Sequence, residues 1–206
     1  MSGAFPISTA KFGTLGIKSI QNTIISKSVS GKRLVRQIDN QRWAFSVQII
    51  TGKRSDVYGE LMAFIVKQRG QKETFTIIPP ELEDARGNED GTVLIDGVHA
   101  VGDTTILMNG FGADGAGRFK AGDFLKFASH SKVYMVVEDV TSSSNAATVT
   151  IEPPLLIALV NDSVVTYDNI PFTVSLTTDV QEFGVSGADK DGNLYYEYQF
   201  DVEEAL

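Results

Sequence analysis

Three stretches of the chain alternate apolar and polar side chains with the two-residue period of a strand that buries one face. Trp43, Phe45, Val47 and Ile49 alternate with Ala44, Ser46 and Gln48; Phe172, Val174 and Leu176 alternate with Thr173 and Ser175; Tyr196, Tyr198, Phe200 and Val202 alternate with Glu197, Gln199 and Asp201. Alternation this clean predicts sheets with one buried and one wet face, and in the last stretch the wet face is an acidic row. One segment changes period. In SDVYGELMAFIVKQRG, Val57, Leu61, Phe64, Ile65 and Gln68 recur at helical spacing, Ser55 or Asp56 is placed to cap the start, and Lys67, Arg69 and Gly70 suit the end. This predicts a single helix with its apolar stripe on a sheet, weakened at Gly59 by up to about 1 kcal/mol relative to alanine.

Between the helical segment and Phe172 the pattern shortens. TVLIDGV, TTILMNGF, DFLKFAS, KVYMVVEDV and ATVTIEP read as five short strands divided by Gly, Asn and Ser clusters. Two Pro-Pro dipeptides, Pro79-Pro80 and Pro153-Pro154, bracket the segment. Proline donates no N–H and forces the preceding residue to be extended, so each dipeptide should end a strand. ELEDARGNEDG after the first reads as a polar linker. The expected fold is mainly β: a discontinuous β-sandwich domain with one α-helix, built from residues 1–80 and 159–206, carrying an inserted barrel at 81–158. Five strands in so short a segment suit a small closed barrel of the oligonucleotide/oligosaccharide-binding type.

Charge divides the chain along the same lines. Residues 1–80 carry twelve Lys/Arg against four Asp/Glu, and residues 81–206 carry six against twenty-two, within a total of −8. Opposite polarity of the first and last segments suits surfaces that meet, inside one fold or between neighbouring copies. The absence of cysteine excludes disulfides, thiolate nucleophiles and cysteine-ligated zinc. No apolar run approaches the roughly 18 residues of a membrane-spanning helix.

The candidate chemistry is thin. NGFGADGAG contains G-x-G-x-x-G at Gly110, Gly112 and Gly115, a spacing that cradles pyrophosphate when a helix follows. The following RFKAGDFLKF cannot open a helix, so the glycines are expected in an exposed loop between strands. His99 and His130 lack metal-ligand spacing, and His130 in ASHSKVY reads as a hairpin turn. Glu81, Glu83 and Asp84 read as solvated linker carboxylates. Asp189, Asp191 and Asn193 approach a calcium loop, but Gly192 arrives too early for one, and a hairpin turn fits better. Asn161-Asp162-Ser163 is a glycosylation acceptor only in a secreted eukaryotic context. Arg118, Lys120, Lys126, His130, Lys132 and Tyr134 form a basic and aromatic cluster, the candidate contact surface of a barrel that binds carbohydrate or single-stranded nucleic acid. The barrel's net acidity opposes a polyanion except locally. No nucleophile, acid/base pair, metal cluster or cofactor site emerges, so the expectation is a non-enzyme without cofactors.

From Lys120 to Leu155 the sequence KAGDFLKFASHSKVYMVVEDVTSSSNAATVTIEPPL, with its A-G-D turn, H-S-K turn, V-Y strand and serine-rich turn in order, resembles the distal tail proteins of long, flexible-tailed bacteriophages. It is most similar to the subgroup with an inserted barrel of the oligosaccharide/oligonucleotide-binding type. The resemblance implies a structural virion protein, assembled in the host cytoplasm as a homohexameric ring at the tail tip. Its first domain would resemble the tail tube subunit, and its neighbours would be the tail tube protein, the baseplate hub and side-fibre or receptor-binding proteins. DNA would pass through the ring without specific binding, past a channel wall for which Glu197, Asp201 and Glu203 are the candidate acidic lining. The alternative is a binding module in which the barrel recognises carbohydrate or single-stranded nucleic acid.

Overall fold

The computed structural model describes residues 2–7, 11–38 and 40–206. Along the chain run β1 (Phe12–Ile20), β2 (Thr23–Lys27), β3 (Arg33–Gln37) and β4 (Arg42–Lys53), then α1 (Gly59–Lys67) and β5 (Thr74–Ile77). The middle of the chain supplies β6 (Leu94–Ile95), β7 (Thr105–Asn109), β8 (Gly115–Ala116), β9 (Phe124–Phe127), β10 (Val133–Val136), β11 (Thr141–Ser142), β12 (Ala146–Glu152) and β13 (Val165–Thr166). The last part supplies β14 (Phe172–Leu176), β15 (Gly184–Ala188) and β16 (Leu194–Glu204). The fold is mainly β, with one short α-helix among the described residues, as the periodicity predicts.

The first sheet has the order β1-β4-β16-β14-β5, with β15 added to the outer part of β16. Its strands come from both ends of the chain and pair antiparallel, with Phe200 opposite Val47 and Val202 opposite Phe45. The alternating apolar residues all turn to one side, where Phe45, Val47, Ile49, Phe172, Val174, Leu176, Tyr198, Phe200 and Val202 are buried. Leu61 and Ile65 of α1 close over them together with Phe5 and Ile7 near the N-terminus. Both Pro-Pro dipeptides follow strand ends, β5 stopping at Ile77 and β12 at Glu152.

The helix starts differently from its predicted form. No side-chain cap is present; residues Arg54–Tyr58 form a π-helical turn that runs directly into α1, and Gly59 N–H donates to Arg54 O. A Cβ at position 59 would lie 2.7 Å from that carbonyl oxygen, so the glycine is what allows the wide turn to close. Its propensity cost is offset by geometry that alanine would obstruct.

The second sheet has the order β13-β9-β10-β12-β7-β6 and curls until its ends meet. Leu94 bridges Val164, Ile95 N–H donates to Ser163 O (2.9 Å), and Val165 N–H donates to Val93 O (3.0 Å). The result is a nearly closed barrel around Ile106, Met108, Phe119, Leu125, Phe127, Val136, Val149 and Ile151. It uses six strands rather than the five that turn spacing predicts. The sixth, Val165–Thr166, pairs with Phe127 and Lys126 and carries this sheet past residue 158, where the prolines suggest a boundary.

Candidate functional site

The glycine motif does receive a carboxylate, but one from its own chain. Gly112 N–H donates to Glu89 Oε1 (2.7 Å), as does Gly91 N–H (2.8 Å). Arg118 Nη1 stands 3.5 Å from Glu89 Oε2, and both side chains are almost wholly buried. Gly110 has φ +81°, and a Cβ there would lie 2.3 Å from Thr92 O, so close passage of two backbones sets the requirement for glycine. The loop is further fastened by the Asp114 carboxylate, which accepts the N–H groups of Ser144 (2.8 Å) and Asn145 (2.7 Å). Its expected exposure holds only in part, since Phe111 points into the barrel core.

A second buried carboxylate organises the apparent linker. Asp123, of the A-G-D turn, accepts hydrogen bonds from Arg86 N (3.0 Å), Arg86 Nε (3.3 Å), Gly87 N (3.2 Å) and Lys120 N (2.8 Å). One side chain thus ties its own turn to the segment entering the barrel. Tyr167 OH donates to Gly91 O from the other end of the insertion. ELEDARGNEDG is therefore built into the barrel through its backbone, whatever its polar composition suggests.

The H-S-K turn joins the barrel to the first sheet. Lys132 Nζ, 1% exposed in its side chain, lies 2.5 Å from Glu204 Oε2 at the end of β16 and donates to Gln41 Oε1 (2.8 Å). Glu204 also accepts from Val133 N (2.9 Å) and Trp43 N (3.2 Å), and Trp43 Nε1 donates to Val133 O (2.9 Å). Around this knot, Phe124 packs edge-on against Trp43 and Phe172, at 5.2 and 5.6 Å between ring centroids. Burial pulls the Lys132 ammonium below its ordinary pKa, and the Glu204 carboxylate opposes that shift. A buried charge pair without these extra hydrogen bonds would cost more in desolvation than it returns.

Several residues expected on the barrel surface are therefore interior. Arg118, Lys132 and Tyr134 are buried; they hold Glu89, Glu204 and the neighbouring loop rather than facing a ligand. Lys126 is half-buried and donates to Pro171 O (2.9 Å). Tyr134 OH bridges His130 Nε2 (2.7 Å) and Leu156 N–H (3.0 Å), and burial pushes its pKa up to about 12. Of the six, Lys120 keeps an exposed side chain and His130 a partly exposed one. His130 forms part of the predicted turn, with Nδ1 2.8 Å from Ser129 Oγ. Burial first, then Lys126 and Lys132, holds its pKa below the ordinary histidine value. Arg118, Lys132 and Tyr134 are thus taken up by contacts within the chain, and Lys132 marks the junction of the two sheets.

The other candidates are likewise absorbed. Asp189 accepts Asp191 N–H, Asn193 N–H and the Lys53 ammonium (2.6 Å), so its carboxylate is taken up by the hairpin turn and an ion pair. His99 is buried and accepts Leu107 N–H (3.2 Å), and Asn161 Oδ1 accepts Gly97 N–H (2.6 Å). Among the described residues no cluster of three or more metal-ligating side chains forms, and no helix is long and apolar enough to cross a membrane.

On the outer face of the first sheet, Glu197, Asp201 and Glu203 do project as a row from β16. The row is not uniformly negative in its effect. Arg42 pairs with Glu203 at 2.9 Å, and Asp201 accepts from Ser46 Oγ, which in turn accepts from Lys18 Nζ (3.2 Å).

Sequence reasoning overlooked β2 and β3. They form a two-stranded hairpin separate from both sheets, with Ile25 opposite Val35 and Ser26 opposite Leu34. All ten strand residues are exposed. The available signal was five aliphatic residues, Ile24, Ile25, Leu34, Val35 and Ile38, interleaved with Lys27, Lys32, Arg33 and Arg36.

The buried charges serve the backbone of the β scaffold, and exposed apolar surface is concentrated on the β2–β3 arm. Residues 83–170 match the family described as "Distal tail protein pb9, B domain". The match spans under half of the chain and supports a phage distal tail protein, a structural component of the virion tail. No curated protein matches the sequence.

Proposed function

We propose that this protein forms a homohexameric ring at the distal end of the tail tube. The ring joins the tube protein to the baseplate hub and fibres and leaves a channel through which DNA passes. The observation that carries this reading is the family match across the inserted barrel, on a chain whose β2–β3 arm exposes apolar surface on both faces. An isolated two-stranded hairpin is marginal in water and gains stability by packing on a partner. Opposite charge on the two ends of the chain supplies register between copies, while apolar contact supplies most of the association energy. Under this reading residues 83–170 form the projecting domain, and the remainder forms the ring.

In such a ring the outer face of the first sheet lines the channel, with Glu197 as the member of the acidic row least compensated by neighbouring cations. Repulsion there keeps phosphates from adhering, since phosphate contacts dominate non-specific affinity for DNA. Electron micrographs of the purified full chain, with its mass in solution, test the ring directly. Six-fold rings support it; a monomer at every concentration, even with added tail tube protein, overturns it.

A further inference from the structure

The β2–β3 arm has a surface that complements it elsewhere on the same chain. Where the barrel closes, residues 94–103 run antiparallel to residues 155–164, with His99 paired to Leu159 and Leu94 to Val164. His99 and Leu159 point inward and are buried; Val98, Val101, Ile157 and Val160 stay outside, Val98 at 77% and Val101 at 64% exposure. These two runs contain Asp96, Asp103 and Asp162 and neither Lys nor Arg. The barrel's end is therefore apolar with an acidic rim. The arm is the reverse: over residues 22–38 it carries Lys27, Lys32, Arg33 and Arg36 and no acidic residue, around Ile24, Ile25, Leu34 and Val35, each about half exposed. A groove of about 480 Å³ between the root of the arm and the barrel, lined by Ile38, Val101, Pro153, Pro154 and Leu155 among others, continues the apolar surface between them.

We infer that the arm of one copy docks on the barrel end of the neighbouring copy. This contact rests on the proposed self-assembly and assigns it a specific pair of surfaces. It places two different patches of one chain against each other, the heterologous arrangement that closes into a ring when the rotation permits. Each patch covers apolar surface that the other leaves wet, and the cations of the arm meet the carboxylates of the rim. Patches of this kind mark interaction sites on otherwise soluble proteins.

The absence of native cysteine makes the test clean. Full-length chains bearing only Ile25→Cys are mixed with chains bearing only Val160→Cys under mild oxidation and run on a non-reducing gel. Chains bearing only Val185→Cys, on the exposed strand β15, serve as the competing site. Predominant cross-linking between positions 25 and 160 in different copies is the expected result. As an independent readout, Arg33→Glu with Arg36→Glu should weaken self-association at least tenfold, and adding Asp96→Lys with Asp162→Lys should recover most of it. Oligomers that cross-link the arm to position 185 instead overturn the docking surface while self-assembly itself stands. A chain that remains monomeric overturns both.

Discussion

The segment 81–91 and the arm 22–38 make opposite impressions in sequence and have opposite fates in the structure. The first is polar, glycine-bearing and charged; the second alternates aliphatic residues over two regular strands. Yet the polar segment is held at Arg86, Gly87, Glu89 and Gly91 by hydrogen bonds to or from buried groups of the barrel. The aliphatic one pairs its two strands with each other and leaves both faces in water. Order in a protein follows from whether backbone groups find buried partners, and two carboxylates, Asp123 and Glu89, suffice to fix a run of polar chain. Apolar alternation, by contrast, predicts burial without saying whether the cover comes from the same molecule.

The largest test of this contrast is Asp123→Ala. It leaves three backbone N–H groups and one guanidinium nitrogen without their acceptor at a side chain with no exposure. Loss of a buried, multiply bonded carboxylate should cost roughly 3–5 kcal/mol of stability. Urea unfolding measures it, and a loss below about 1 kcal/mol would mean that the entry segment is held mainly by apolar packing.

Next comes the junction. Lys132→Met strands the Glu204 carboxylate among groups that no longer neutralise it, and should cost about 3 kcal/mol, whereas adding Glu204→Gln to it should restore a substantial part. Trp43 is the single tryptophan and sits at this contact, so its fluorescence reports on the junction while circular dichroism reports on both sheets. Coincident transitions by the two probes are expected for modules that share a core. A fluorescence change well before the loss of strand signal would show instead that the barrel detaches first.

The pH response is smaller and has a definite sign. Because burial and the two lysines hold the folded-state pKa of His130 below the ordinary histidine value of about 6.5, the unfolded chain takes up the proton first. Stability is fully present above that value and declines as pH falls through it toward the folded-state pKa. His130→Gln should therefore flatten the stability curve where pH falls through the ordinary histidine value and below it, apart from the carboxylate titration that follows at lower pH. An unchanged slope would assign the acid sensitivity of the junction to other groups.

Much of the fold could be read from the chain, because one-sided burial imposes its period on β4, β14, β16 and α1. The five barrel strands were legible from turn spacing as well. Strand β13 was hidden: two residues after a Pro-Pro pair carry no period, and their pairing with β9 is a product of barrel closure. The site was legible as a place and not as a role. Lys132, Tyr134 and Arg118 stand out as basic and aromatic, but a cation that reaches a buried carboxylate from a distant strand has the same local sequence as one that faces solvent. Glu204 lies 72 residues from its lysine, and no spacing rule joins the two.

The smallest effect on the isolated chain belongs to the arm, and there a near-zero result is the informative one. Ile25→Ser and Leu34→Ser remove apolar atoms that are already half exposed and that neither sheet buries among the described residues. Substitutions of this kind should change monomer stability by less than about 0.5 kcal/mol. The same pair of changes should sharply reduce self-association, because the apolar area that contact would remove from water is then gone. Thermal unfolding of dilute protein alongside sedimentation of concentrated protein separates the two quantities. If both variants unfold several degrees lower as monomers, the arm is packed on its own molecule in solution. Its aliphatic pattern would then report the same kind of internal burial as β4 and β16, and the distinction between the arm and the polar entry segment would collapse.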